Sequence, residues 1–179
     1  GLYNAYLSLK NSPEFSTYSV AQKKAIENAL RDFELSGIGL SEEKQKRYGE
    51  IVARLSELSS QFSNNVLDAT MGWEKVIEDE SELAGLPESA LLAAKQSAES
   101  KGLKGYRFTL EIPSYLPIMT YCENAALREE MYRAYATRAS DQGPNAGKWD
   151  NTAIIEEIMT LRVELAKLLG FNTYTERSL

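Results

Sequence analysis

Residues 41–66 read SEEKQKRYGEIVARLSELSSQFSNNV, and this stretch decides the fold class. Ser41 is placed to cap a long helix, with Glu42 and Glu43 in its first turn, where the helix dipole favours acidic side chains. Apolar residues then recur every three or four positions, at Tyr48, Ile51, Leu55, Leu58, Phe62 and Val66. So narrow a seam is typical of an antiparallel helix pair. Gly49 beside it predicts a close backbone approach, since glycine costs a helix about 1 kcal/mol.

The helical period continues on both sides of this stretch. Ser19 and Gln22 have the spacing of a capping box, which opens a helix that stops near Gly37. Proline is favoured in a first turn, so a further helix is predicted over residues 87–100.

The chain after Ser114 is also predicted to be helical. Asn124 is a plausible cap for the helix that follows it. The last long helix has its seam at Ile154, Ile158, Leu161, Leu165 and Leu168 and ends at Gly170.

Two short strands interrupt the helices. The helical pattern breaks at residues 68–70, residues 73–77 are predicted as a first strand, and the alternation over residues 106–112 predicts a second. An isolated antiparallel ribbon is only marginally stable, so it must lie on the helices. The predicted fold class is therefore mainly α, an antiparallel helix bundle with a small two-stranded β ribbon packed on it. Residues 1–179 are expected to form a single helical lobe.

Composition and charge exclude several classes of function. The net charge of −6 and pI near 4.9 argue against nucleic acid as a partner. No stretch approaches the length of a membrane span, and residues 1–10 lack the basic and then apolar order of a signal peptide. One cysteine allows no internal disulfide, which suits a cytoplasmic location. Both ends of the chain look like cuts in a longer protein.

The chain contains no histidine. This excludes histidine-based catalytic triads and nearly all zinc sites. Adjacent acids do occur, but neighbours on a helix point about 100° apart, so such pairs favour solvated helix faces over a catalytic centre. These acids are Glu42-Glu43, Asp79-Glu80 with Glu82, Glu129-Glu130 and Glu156-Glu157. We assign no catalytic and no metal-binding residue, and the substrate-contacting residues are unknown.

The loop at residues 143–149, GPNAGKW, invites comparison with a phosphate-binding loop. Its glycine spacing is one residue short, and Trp149 stands where a serine or threonine must hold magnesium. A flexible turn or a mobile surface lip is the better interpretation.

The single cysteine and four of the tyrosines are also candidate functional groups. Cys122 lies among apolar residues and is predicted to be a small core side chain. Tyr115, Tyr121, Tyr132 and Tyr135 either line a groove that offers hydroxyls to a ligand or are ordinary core and boundary residues.

Several segments, taken in order, resemble the region upstream of the catalytic core in the thimet oligopeptidase family of zinc metallopeptidases. They are residues 35–41, 58–65, 114–119, 123–135, 137–139, 151–158, 161–162 and 166–171. No single segment is diagnostic, but the ordered series is.

The resemblance implies a parent enzyme that hydrolyses short peptides in a deep channel between two helical lobes. Its zinc would be held by a His-Glu-x-x-His helix and a later glutamate, and none of these maps onto this chain. We therefore expect a non-catalytic portion of the channel wall, inactive alone and without bound zinc. Expected partners are short peptides and the remainder of the same polypeptide, with some self-association of the isolated piece. The alternative is a free-standing helical module that binds other proteins.

Overall fold

Helices dominate the computed structural model, which describes residues 1–179. The α-helices are α1 (Leu2–Lys10), α2 (Val20–Leu35), α3 (Glu42–Met71), α4 (Glu88–Glu99), α5 (Ile112–Tyr121), α6 (Ala125–Ala136), α7 (Thr152–Leu168) and α8 (Tyr174–Ser178). Two short 3₁₀ helices cover Pro13–Thr17 and Glu80–Leu83. The strands β1 (Glu74–Ile77) and β2 (Tyr106–Thr109) pair antiparallel, with Glu74 opposite Thr109. The mainly α class with a two-stranded ribbon is confirmed.

The chain divides into two compact units. The first unit contains Gly1–Leu58 and Glu156–Leu179, and the second contains Ser59–Ile155. Helices α3 and α7 are therefore each divided between the two units.

In the first unit, a ladder of ion pairs links α3 to α7. Arg47 binds Glu164 through Nε at 2.6 Å and Nη2 at 2.8 Å, and Arg54 binds Glu157 with the same two distances. Side chains buried in this unit come from α2, α3 and α7, namely Ile26, Leu30, Ile51, Leu58, Leu161, Leu165 and Ala166. The predicted capping box at Ser19 and Gln22 is present.

The second unit has its core around the ribbon. Phe108 on β2, Ile118 on α5 and Met131 on α6 are at most 2% exposed. They belong to one apolar cluster with Ile77, Leu83, Leu86, Ala94, Cys122 and Leu127. Each fully buried large apolar side chain contributes roughly 1.5–3 kcal/mol, so this cluster stabilises the ribbon that would be marginal alone.

Three local predictions are wrong. The break at residues 68–70 is absent, because α3 continues to Met71 and the Thr70 hydroxyl bonds to the Val66 carbonyl within it. The second strand ends at Thr109, since Ile112-Pro113 begins α5. Apart from its chain neighbours and the backbone of its own helix, nothing lies within 4 Å of where a Cβ on Gly49 would be, so no other backbone approaches that position closely.

Candidate functional site

Two of the four tyrosines come together on α5 and α6. The rings of Tyr115 and Tyr135 stack with centroids 4.2 Å apart and planes inclined by 13°. Tyr121 and Tyr132 are 54% and 58% exposed. Tyr115 and Tyr135 therefore form a boundary pair, while the other two offer their surface to solvent.

Arg138 completes this stack just beyond the end of α6. Its guanidinium lies 3.7 Å from the centre of the Tyr135 ring. Its Nε donates to the Tyr135 carbonyl at 2.9 Å, and its Nη1 donates to the Thr70 hydroxyl at 2.7 Å. The arginine thus ties the end of α6 to the last turn of α3. Sequence analysis gave Arg138 no role beyond the segment 137–139 of the family resemblance, because its partner Thr70 is 68 residues away.

The environment of the stack keeps the Tyr115 hydroxyl neutral. Burial raises the pKa of Tyr115, the nearby Tyr135 and Tyr132 raise it further, and Arg138 acts in the opposite direction. A phenol with a raised pKa remains protonated at neutral pH and can donate a hydrogen bond, but it is a poor general base.

The loop between α6 and α7 is held at both ends. Ala139 and Trp149 adopt φ values of 51° and 73°, which only a well-determined environment maintains in residues other than glycine. The backbone N–H of Asn151 donates to the Ala139 carbonyl at 3.0 Å, and the backbone N–H of Gly147 donates to the Ser140 carbonyl at 3.0 Å. The Trp149 ring occupies the space where a Cβ on Gly72 would lie.

Asn151 anchors this loop to α3. Its side chain is 2% exposed, accepts from Asn65 Nδ2 at 2.8 Å, and donates to the Phe62 carbonyl at 3.2 Å. Sequence analysis included Asn151 only as the start of the segment 151–158 of the family resemblance and gave no sign of these distant partners.

A surface pocket of about 330 Å³ lies where β1, α6 and this loop meet within the second unit. It is lined by Trp73, Glu130, Arg133, Gly143 and Pro144, and we call it the Trp73 pocket. Glu130 accepts from Lys75 Nζ at 3.0 and 3.1 Å. Sequence reasoning missed this pocket, because its lining residues span 72 positions and none of them forms a recognisable motif.

Three of the acids singled out in the sequence each have a different side-chain partner. Glu80 accepts from the Tyr106 hydroxyl, Glu130 from Lys75 and Glu157 from Arg54. Hydrogen bonding from Arg54 lowers the pKa of Glu157, and a bond to Glu80 raises the pKa of Tyr106.

No three side chains of His, Cys, Asp or Glu converge in a geometry that could hold a metal ion. The donor set of this chain therefore does not fit the zinc that the family resemblance implies for the parent. The only cysteine, Cys122, is buried in the apolar cluster, with Sγ 3.7 Å from the Glu82 carbonyl, which confirms it as a core side chain.

None of the helices combines the length and apolar character needed to span a bilayer.

Two models of known protein families match parts of this chain. A model of peptidase family M3 matches residues 118–179, and a model of the neurolysin/thimet oligopeptidase N-terminal domain matches residues 1–45. The chain belongs to peptidase family M3, as an N-terminal portion of it, which confirms the resemblance seen in the sequence.

Curated relatives align with the whole chain. It is 88% identical over 179 residues to oligopeptidase A of Haemophilus influenzae and 69% identical to oligopeptidase A of Escherichia coli, covering 100% of this chain and 26% of each relative. It is 44% identical over 185 aligned positions to a probable cytosolic oligopeptidase A of Arabidopsis thaliana, covering 99% of this chain and 26% of that relative. The chain thus spans about a quarter of the length of these relatives.

Proposed function

We propose that this chain is the non-catalytic N-terminal portion of a zinc-dependent oligopeptidase and forms part of the wall of its substrate channel. One observation carries the proposal: all 179 residues align at 88% identity with a protein named oligopeptidase A, yet they make up only 26% of it. The remaining three quarters of such a parent leave ample room for a catalytic centre outside this chain.

The chemistry of the chain supports a non-catalytic role. It has no histidine, and no three of its cysteine, aspartate and glutamate side chains converge in a geometry that could hold a metal ion. We propose that the zinc ligands and the general base belong to the remainder of the parent polypeptide. The isolated chain is expected to bind no zinc and to hydrolyse no peptide.

Exposed apolar side chains support a role as one part of a larger assembly. In the first unit, Val52, Met159 and Val163 are 42%, 57% and 43% exposed. In the second unit, Leu67 and Met71 are 56% and 67% exposed. We propose that residues 1–179 act as one helical lobe of a cytoplasmic enzyme whose remainder covers some of these side chains. Uncovered apolar surface of this kind favours association, so the isolated chain is expected to self-associate.

Hydrolysis of a short, internally quenched peptide tests the function directly. The longer product of the parent gene and the 179-residue chain are assayed side by side, each with and without a chelator. We expect activity in the longer product alone, abolished by the chelator and restored by zinc.

Two outcomes would contradict the proposal. Activity of the purified 179-residue chain would place catalytic groups within it, and inactivity of both proteins would contradict the assignment of oligopeptidase function. Size-exclusion chromatography with an apolar dye tests the exposed surface separately, since a dye-negative monomer would argue against missing partner segments.

A further inference from the structure

The Trp73 pocket combines apolar walls with one uncompensated positive charge. Trp73 is half-buried and packs against the apolar cluster of the second unit, while Pro144 lies on the loop. Of the charged groups at the pocket, Glu130 is already neutralised by Lys75 at 3.0 Å. Arg133 is exposed and has no side-chain partner within this chain. The pocket therefore presents a free guanidinium on a protein whose net charge is −6.

The walls of the pocket are held in place. Gly143 has φ +82°, and a Cβ there would collide with Thr137, whose hydroxyl donates to the Arg133 carbonyl at 2.6 Å. On the opposite side, Trp73 directly precedes β1, where Lys75 pairs with Phe108. A preformed pocket loses little free energy to ordering when a ligand enters it.

Size and charge narrow the class of ligand. A volume of about 330 Å³ lies at the lower end of small-ligand pockets and is enough for one amino-acid residue. Guanidinium groups match the planar geometry of carboxylates.

We propose that the Trp73 pocket binds the C-terminal residue of a short peptide, with its apolar side chain against Trp73 and Pro144 and its α-carboxylate on Arg133. Glu130 keeps acceptor capacity for a backbone N–H of the same peptide. This proposal rests on the proposed function for the source of its ligand, and it assigns a binding role to a quarter of the parent that holds no catalytic group.

Binding of minimal ligands to the 179-residue chain tests the proposal. The probes are N-acetyl-leucine, which carries the α-carboxylate, and N-acetyl-leucinamide, which lacks it. The readout is the indole N–H signal of Trp73 in a two-dimensional ¹H–¹⁵N spectrum, assigned with Trp73→Phe. We expect the acid to shift this signal in the millimolar range and to bind about two- to fivefold more tightly than the amide, the range typical of a solvent-exposed ion pair.

Variants separate recognition by Arg133 from general attraction of anions. Arg133→Gln should remove the preference for the acid, and Arg133→Lys should retain part of it. Arg31→Gln is the matched control, since Arg31 is an exposed arginine of the first unit. Circular dichroism checks that each variant is folded.

The following results would overturn the proposal. They are equal affinity for acid and amide, an acid preference that survives Arg133→Gln, and no shift of the Trp73 signal at the solubility limit. Equal binding of N-acetyl-glutamic acid α-amide would show that any carboxylate suffices, which overturns the assignment to a peptide C terminus. A failure of the proposed function can be distinguished from a failure of this pocket proposal. The hydrolysis assay of the longer gene product tests the proposed function and does not measure binding to the Trp73 pocket.

Discussion

Asn151 offers a direct test of how the loop between α6 and α7 is anchored. Replacing it by alanine removes two side-chain hydrogen bonds, one from Asn65 at 2.8 Å and one to the Phe62 carbonyl at 3.2 Å. Each bond contributes about 1 kcal/mol net, and the half-buried Asn65 amide left without an acceptor adds a further penalty of similar size. We therefore expect Asn151→Ala to lower the free energy of unfolding by about 2–3 kcal/mol.

Urea denaturation followed by circular dichroism measures this loss, which corresponds to a shift of the midpoint by about 1 M. Asn64→Ala is the matched control, because Asn64 is exposed on the same helix as Asn65. Such a surface change should stay within about 0.5 kcal/mol.

The Asn65→Ala variant provides the second arm of a double-mutant cycle. Because the Asn65 and Asn151 side chains bond to each other, the double variant should be less destabilised than the sum of the two single variants. Strict additivity, or an Asn151→Ala effect no larger than that of Asn64→Ala, would refute the anchoring argument.

Three further predictions concern stability. Gly49→Ala should stabilise the chain by about 0.5–1 kcal/mol, because the site is in open space within a helix, and an unchanged urea midpoint would contradict this. Gly105→Ala should destabilise it by about 1–3 kcal/mol, since φ is +88° and a Cβ would press on the Ile77 carbonyl oxygen; thermal unfolding measures the loss, and a tolerated alanine would be the contrary result. The hydrogen bond from Arg54 lowers the pKa of Glu157 in the folded state. The stabilisation that this ion pair gives to the folded chain is therefore fully present above the unfolded-state pKa of about 4.3, and it is lost as the pH falls through the lower, folded-state pKa. Acid titration followed by circular dichroism should therefore show a shallower loss of stability below pH 4.3 for Arg54→Gln, and superimposable acid limbs would count against the pairing.

The sequence predicted those parts of the fold that depend on local pattern. The capping box at Ser19 and the cap at Asn124 were predicted, and so was the first strand, expected at residues 73–77 and observed at Glu74–Ile77. Each depends on neighbours within about four residues, where propensity and hydrogen-bond geometry act directly. The end of the second strand was misplaced because Ile112 satisfies a strand pattern equally well, and only the start of α5 at that residue decides between them.

The candidate sites depend on contacts that no local pattern encodes. Arg138 meets Thr70 across 68 residues, and Asn151 meets Asn65 across 86. The Trp73 pocket joins the residue before β1, helix α6 and the loop between α6 and α7. A single sequence gives no information on which distant polar residues meet, so these features appear only in the structure.

The ion-pair ladder of the first unit lies between these two cases. Arg47 and Arg54 are seven residues apart on α3, as are their partners Glu157 and Glu164 on α7, and each arginine also reaches a glutamate three positions later in its own helix. The same spacing separates the buried seam residues Ile51 and Leu58. Charged and apolar positions that share a seven-residue spacing favour an antiparallel register in which both ion pairs and the apolar seam form together. The spacing of these charged residues is thus visible in the sequence, but the structure is needed to show which arginine pairs with which glutamate.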